Sequence, residues 1–366
     1  MMKLIDTFSR YFVGVLFIFS GLVKLNDPIG TKIKLEEYFE VFATDFAPFF
    51  ELLIPAALPL GLILVVLEIV LGIAVLLHYR MNVTTWILLL LILFFTFLTF
   101  YSAYFDKVTD CGCFGDAIPL DPWQSFFKDV VLIVFIAHLF WYRRQFLSSI
   151  SLKAGHITII SATVVSFLVG IYAIEHLPYL DFRSYKIGNN IPALMQSGAD
   201  PIIEYTFIKG GEEVRSQQYL SEDDGYAFVG SKVLNEDETM PKIQDYYVTT
   251  PTGEDYTLGS LEGLKVIVVT QGLKTLRYSK MEELSGFIQS LEGRIEVIAL
   301  TSILEDDFEN LRHEYQLAVP FYFVDSTVLK AMVRSNPGIL LIQDGTVLGK
   351  WHINDLPDAG EIAGLI

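Results

Sequence analysis

The 366-residue chain is predicted to be a helical membrane bundle followed by a small β-rich segment and a compact α/β domain. Three observations predict this. The composition is 52% hydrophobic with a mean hydropathy of +0.45, where a soluble chain of this size normally falls below zero. Stretches apolar enough to cross a bilayer occur only in the first half. From Asp181 onward the pattern turns to short strands and amphipathic helices, and the acidity gathers there, with 29 acidic and 15 basic residues in a chain of net charge −17. That balance excludes a nucleic-acid-binding face, which must be basic. An acidic surface of this kind keeps a domain soluble.

The first apolar segment, Tyr11–Val23, continues to Leu25 with Lys24 as its only charge. Lys3 and Arg10 precede it as in a signal peptide. Large residues (Leu22, Val23, Leu25) stand where a cleavage site needs small ones, so the segment is expected to be a retained helix. The run Gly21-Leu22-Val23-Lys24-Leu25-Asn26-Asp27-Pro28 has the marks of a helix end. Lys24 can snorkel, Asn26 and Asp27 can satisfy local backbone groups, and Pro28 stops the helix.

Four further segments follow. Leu52–Leu77 holds one charge, Glu68, and Val83–Phe105 holds none. Trp123–Tyr142 has Lys128 and Asp129 near its start, and Gly155–Leu177 has Glu175 near its end. A carboxylate such as Glu68 inside a span faces the bundle interior, either on a proton path or satisfied by a neighbouring donor. Arg143, Arg144 and Lys153 fill the loop between the fourth and fifth segments, which places that loop and the N-terminus in the cytoplasm. Lys24, Lys32, Lys34, Lys107 and Lys128 fall on the outer side, against that rule. Five crossings in a bacterial inner membrane, surrounded by lipid, then put the loop Asp106–Pro122 and the C-terminal half in the periplasm.

Pro178–Ile191 is a polar exit. Between about Ile202 and Val248 apolar and polar residues alternate, with Gly210-Gly211 as a turn and Tyr226–Val229 as a further strand. From Glu254 the order becomes β-α-β-α-β-β. Strands are expected at Val266–Thr270, Val297–Leu300, Phe321–Val324, Gly338–Ile342 and Thr346–Trp351. Met281, Leu284, Phe287, Ile288 and Leu291 mark one helix, and Leu304, Phe308, Leu311 and Tyr315 mark a second. A short helix runs to Val333. The expected divisions are 5–145, 154–178, 180–250 and 251–366.

The chain's two cysteines, Cys111 and Cys113, sit one residue apart in the outward loop. They are too few for a disulfide framework or a four-ligand zinc site. Gly112 between them permits the bend that brings two Cα atoms within disulfide range, and the small ring that results would be strained and readily exchanged. A dithiol–disulfide redox centre is one reading; two unreactive thiols or a soft-metal ligand pair are the others. Lys128 and Asp129 follow the loop, either as headgroup-level charges or with Lys128 stabilising a thiolate. The six histidines show no metal-binding spacing, so no metal is expected. His138, within the fourth segment, is either a quinone or proton contact or a buried, satisfied histidine. There is no dinucleotide fingerprint, P-loop or nucleophile elbow.

The helix end Gly21–Pro28, Glu68 in the second span and the Cys111-Gly112-Cys113-Phe114-Gly115 loop together resemble the DoxX-like superfamily, most closely its methylamine-utilisation MauE branch, over roughly residues 5–145. The resemblance implies a four-helix membrane bundle and a part in maturing disulfide-containing periplasmic enzymes or in quinone-linked redox chemistry. It draws in Lys24, Asp27 and Glu68 as supporting residues to Cys111 and Cys113, with quinone as the implied electron carrier; Lys128 and Asp129 are supporting candidates through their place just after the loop. The C-terminal domain is similar to thioredoxin-like proteins of the TlpA type. The similarity lies in Gly253-Glu254-Asp255-Tyr256-Thr257-Leu258, in Leu261–Lys265 before the first strand, and in Asn336-Pro337 at the place of the fold's cis-proline. Gln271–Arg277, where a C-x-x-C would open the helix, has no cysteine, so this domain is expected to do no thiol chemistry. It would serve instead as a scaffold or bind a polypeptide near Pro337.

Three functions follow as expectations. The first is a membrane thiol–disulfide redox or maturation factor acting on an extracytoplasmic client. The second is a non-enzymatic assembly protein that presents an inert thioredoxin-like module. The third is a small-solute or metal carrier with Glu68 on its path.

Overall fold

The computed structural model describes residues 2–108, 112–196, 198–235 and 239–366, so Cys111 lies outside the described residues. The chain divides into two compact units, Met1–Arg183 and Ser184–Ile366.

The first unit is helical. Its elements are α1 (Met2–Asn26), α2 (Pro28–Asp45), a 3-10 stretch Pro48–Ala56, α3 (Ala57–Leu76), α4 (Met81–Phe105), α5 (Pro122–Trp141) and α6 (Leu152–Glu175). Lys3–Asn26, Pro48–Leu76, Met81–Phe105, Pro122–Trp141 and Leu152–Glu175 are each long and apolar enough to cross a membrane. All five expected segments are thus present, and the protein is a multi-pass membrane protein. Leu90, Val134, Ile160 and Leu168 stand exposed on the outward faces, as helices surrounded by lipid require.

Helix α2 departs from the sequence expectation. Pro28 ends α1, but it also starts a second helix. Proline at the first position costs no hydrogen bond there, and the Asp27 carboxylate caps the turn by accepting from the Gly30 amide at 2.9 Å. Leu35, Tyr38 and Phe42 recur three and four residues apart on the buried face of α2. Lys24 is a second departure, since it turns inward rather than snorkelling.

α1 packs chiefly along α3, and α4 along α5. The first contact is close because both helices present glycine. A Cβ on Gly72 would stand 2.7 Å from the Gly14 carbonyl oxygen, and one on Gly21 would stand 3.2 Å from that of Val65. Val13, Phe17, Leu71, Val75, Leu88, Leu132 and Ile136 fill the space between the four helices.

Among the described residues the second unit holds two sheets. β1 (Ile203–Lys209), β2 (Glu212–Ser216) and β3 (Ala227–Val233) form an antiparallel sheet in the order β2-β1-β3, turned at Gly210-Gly211. β4 (Leu264–Thr270), β5 (Glu296–Thr301), β6 (Phe321–Phe323), β7 (Gly338–Gln343) and β8 (Thr346–His352) form the larger sheet, in the order β6-β5-β4-β7-β8. β4, β5 and β6 run parallel, and β7 and β8 run antiparallel to their neighbours. The helices are α7 (Ile191–Leu194), α8 (Met281–Leu291), α9 (Glu305–Tyr315), α10 (Ser326–Met332) and α11 (Ala359–Ala363). All five apolar positions expected on α8 are buried against the sheet. On α9 Phe308 and Leu311 are buried, but Leu304 lies before the first turn and is 75% exposed. Thr249 exchanges two backbone hydrogen bonds with Phe323, and Val347 exchanges two with Gly188 and Asn189, so irregular segments cover both edges of the larger sheet.

Two glycines separate packing from propensity. Gly72→Val forces α1 and α3 apart and should lower the thermal stability of the detergent-solubilised protein, by about 1–3 kcal/mol. Gly286→Ala, on the exposed face of α8 with nothing within 4 Å of its would-be Cβ, should raise the stability of the second unit by about 0.5–1 kcal/mol. Thermal unfolding followed by circular dichroism distinguishes the two signs.

A candidate functional site at the mouth of the helix bundle

The segment between α4 and α5 folds back into the bundle. Its first residues are anchored: Lys107 reaches both carboxylate oxygens of Asp45 at 2.5 Å, and Val108 is fully buried among Tyr38, Phe42, Leu98 and Tyr101. The Lys107 hydrogen bond, then that from the Tyr101 hydroxyl, hold the Asp45 carboxyl below the usual carboxylate range. Further on, Gly112 (φ 62°) and Gly115 (φ 50°) take left-handed conformations that make a tight turn, closed by the Gly115 amide on the Gly112 carbonyl at 3.2 Å.

This turn lowers Cys113 and Phe114 to a layer of polar side chains on three helices. Ser20 lies six residues before the end of α1, Thr99 six before the end of α4, and Asp129 seven after the start of α5. At a rise of 1.5 Å per residue, all three sit about 9–10 Å below the helix ends. Irregular backbone at such depth is tolerated only where protein surrounds it, and Phe114 is accordingly buried.

Two ion pairs occupy the layer. Lys24 Nζ lies 2.6 Å from Glu68 Oε1, with both side chains largely buried. Lys128 Nζ lies 2.8 Å from Asp129 Oδ1, and Thr99 Oγ1 donates to Asp129 Oδ2 at 3.1 Å. Ser20 ties the first pair to the loop, with its hydroxyl 2.8 Å from Glu68 Oε2 and 3.0 Å from the Cys113 carbonyl oxygen. A hydroxyl has one proton, so the two acceptors share it. Lys128 ties in the second pair. Its ammonium is within electrostatic reach of the Cys113 thiol and lies 5.2 Å from the centre of the Phe114 ring. Cys113 is half-buried with a free thiol.

The expected residues Lys24, Glu68, Lys128, Asp129 and Cys113 therefore form one layer. Asp27 serves as the cap of α2, and Pro337 belongs to the second unit. Cys111, the other half of the expected pair, falls outside the described residues. The hydroxyls of Ser20, Thr99 and Ser125 were not foreseen. Ser20 was legible in one respect, since it precedes Lys24 by four residues and so shares its helix face. Ser125 is fully buried one turn before Asp129, and its hydroxyl has no partner among the described residues. His138 is satisfied by Asp6 at 2.7 Å.

In the second unit Gln271 directly follows β4 and opens the cysteine-free stretch Gln271–Arg277. Its side-chain amide donates to the carbonyls of Val333 (2.6 Å) and Ser335 (3.1 Å), and its backbone amide donates to Asn336 Oδ1 at 2.9 Å. Asn336 in turn donates to the Gly272 carbonyl at 2.7 Å, and the Asn336–Pro337 peptide is cis. These bonds tie the start of that stretch to the segment that holds the cis-proline.

Comparison with known proteins agrees with both halves. Residues 2–142 match the family of the methylamine utilisation protein MauE. The membrane half is a MauE-like domain. The chain is also 28% identical over 137 residues to Protein TlpB of Flavobacterium psychrophilum; the match covers 36% of the chain and 35% of that protein, so the chain spans about a third of the relative's length. The MauE-like bundle is thus fused to a thioredoxin-like domain, and the polar layer beneath the cysteine loop lies inside the matched region.

The buried pairs give a stability test. Glu68→Leu strands the Lys24 ammonium and should destabilise the MauE-like bundle by about 3–5 kcal/mol. The double change Lys24→Met with Glu68→Leu should recover most of that loss, a coupling measurable by thermal unfolding in detergent.

Proposed function

We propose that the protein is a membrane thiol–disulfide redox or maturation factor whose working pair is Cys111 and Cys113. The observation that carries this reading is the Lys128 ammonium, paired with Asp129 at 2.8 Å and within electrostatic reach of the Cys113 thiol. A cation beside a thiol favours the thiolate, which is the species that attacks a disulfide or reacts with an oxidant.

In this reading the oxidised Cys111–Cys113 disulfide accepts attack by a client thiolate. The first client sulfur–cysteine bond forms as the Cys111–Cys113 bond breaks, and a second client thiol then displaces the protein. The client leaves as a disulfide and the protein is left as the dithiol. Reoxidation removes two electrons and two protons. The acceptor implied is a lipid-soluble quinone, for whose carbonyl oxygens the unpartnered Ser125 hydroxyl and the Lys128 ammonium are suitable donors. Ser20 and Thr99 position the loop and the Asp129 carboxylate. The loop and the thioredoxin-like domain face the periplasm of a bacterial inner membrane, and client proteins are met there.

A second reading rests on Gln271. A thioredoxin-like domain with no cysteine in Gln271–Arg277, and with Gln271 hydrogen-bonded to the segment before the cis-proline, suits an assembly factor that binds, near Pro337, without reacting.

The two readings diverge under substitution. Cys111→Ser or Cys113→Ser should leave the extracytoplasmic client pool reduced, as read by alkylation mass shift in intact cells. An unchanged pool, together with loss of function on altering Pro337, would favour the assembly factor. Lys128→Met should slow modification of Cys113 by N-ethylmaleimide at neutral pH by about tenfold or more; equal rates would remove the part assigned to Lys128.

A further inference from the structure

The parallel strands β4, β5 and β6 end on the same side of their sheet, and the residues that leave those ends enclose an open cleft of about 740 Å³. Crevices at the carboxyl ends of parallel strands are the usual ligand sites of such sheets, and this volume lies within the range of binding clefts. Asn336 and Pro337 do not line it, although Gln271 and Gly272, which do, are hydrogen-bonded to Asn336.

Its lining has one chemical character. Asp245 and Asp325 supply two carboxylates, and among the described residues no lysine, arginine or histidine lines the cleft. Lys274, Arg277 and Lys280 leave the same end of β4 but are not among the lining residues. Tyr247, 55% exposed, and Phe323 add two aromatic rings. On the β4 side the lining includes Gly272, at φ 148° and ψ 155°, a conformation essentially confined to glycine. Nothing stands within 4 Å of where its Cβ would be, so bare backbone faces open space there. Beyond the rim, Glu305, Asp306 and Asp307 open α9 directly after β5.

We infer that this cleft binds a polypeptide segment through its lysine or arginine side chains. The cation is met by Asp245 and Asp325, its alkyl stem lies along Tyr247 and Phe323, and the rings add cation–π attraction. An ammonium group alone fills a small part of 740 Å³; a stretch of chain carrying it fills the cleft. The site uses neither cysteine, so it stands or falls independently of thiol exchange.

The full chain in phosphatidylcholine nanodiscs, titrated with a fluorescein-labelled decapeptide of alternating alanine and lysine, tests this by fluorescence anisotropy. The lysine peptide should bind, weaken with added salt, and bind equally to the Cys111→Ser, Cys113→Ser double variant. The Asp245→Asn, Asp325→Asn double variant should lose at least about threefold in affinity. Asparagine at 325 still caps α10, so the fold is retained. Glu212→Gln with Glu213→Gln, an equal charge change on β2, should leave binding unaltered. The inference is overturned if an alanine–glutamate peptide binds as well, if the Asp245/Asp325 variant binds as the parent does, or if the β2 variant loses as much. It is also overturned if free n-butylammonium displaces the lysine peptide at equal concentration.

Discussion

A charged side chain within an apolar helix bundle must find its counter-charge inside the protein, because no water in the hydrocarbon replaces one. Among the described residues of the layer beneath the cysteine loop, such groups cancel in pairs: Lys24 with Glu68, and Lys128 with Asp129. The rest of the site follows from that pairing. Lys24 and Glu68 join α1 to α3, and glycines at the same interface allow the backbones to approach closely enough for a 2.6 Å contact. Asp129 is joined through Thr99 to α4, which aligns α4 and α5 at the depth of the layer. The polar atoms left over from the two pairs then hold the cysteine loop in place.

The fold was largely legible because its signals are long or periodic. Five apolar runs cannot be mistaken for amphipathic helices, and the spacing of Met281 to Leu291 admits only one buried face. Helix α2 was missed for a physical reason. Pro28 is a stop signal for α1 and a start signal for α2, and only Asp27, as a cap, tells the second meaning. Leu304 failed differently, since its spacing fits the α9 stripe but the helix begins after it. At the site, the charges were legible as anomalies in apolar runs, whereas their pairing was not. Lys24 next to a helix end has snorkelling as an equal alternative, and the choice is made by Glu68, 44 residues away. The serine and threonine hydroxyls carried still less signal, because in a helix their ordinary partner is the carbonyl four residues back, as for Thr85 and Met81.

Both cysteines belong to the MauE-like half, and the thioredoxin-like domain holds none. Just after β4, Gln271 spends its amide hydrogens on carbonyls of the segment before the cis-proline. Those carbonyls need donors, and glutamine supplies them without reactivity. Gln271 and Gly272 also line the acidic cleft, so these bonds fix one wall of it. The backbone of Cys113, by contrast, is tied through Ser20 to a buried polar layer in the MauE-like half. The open, charged surface and the enclosed polar layer thus lie in separate units.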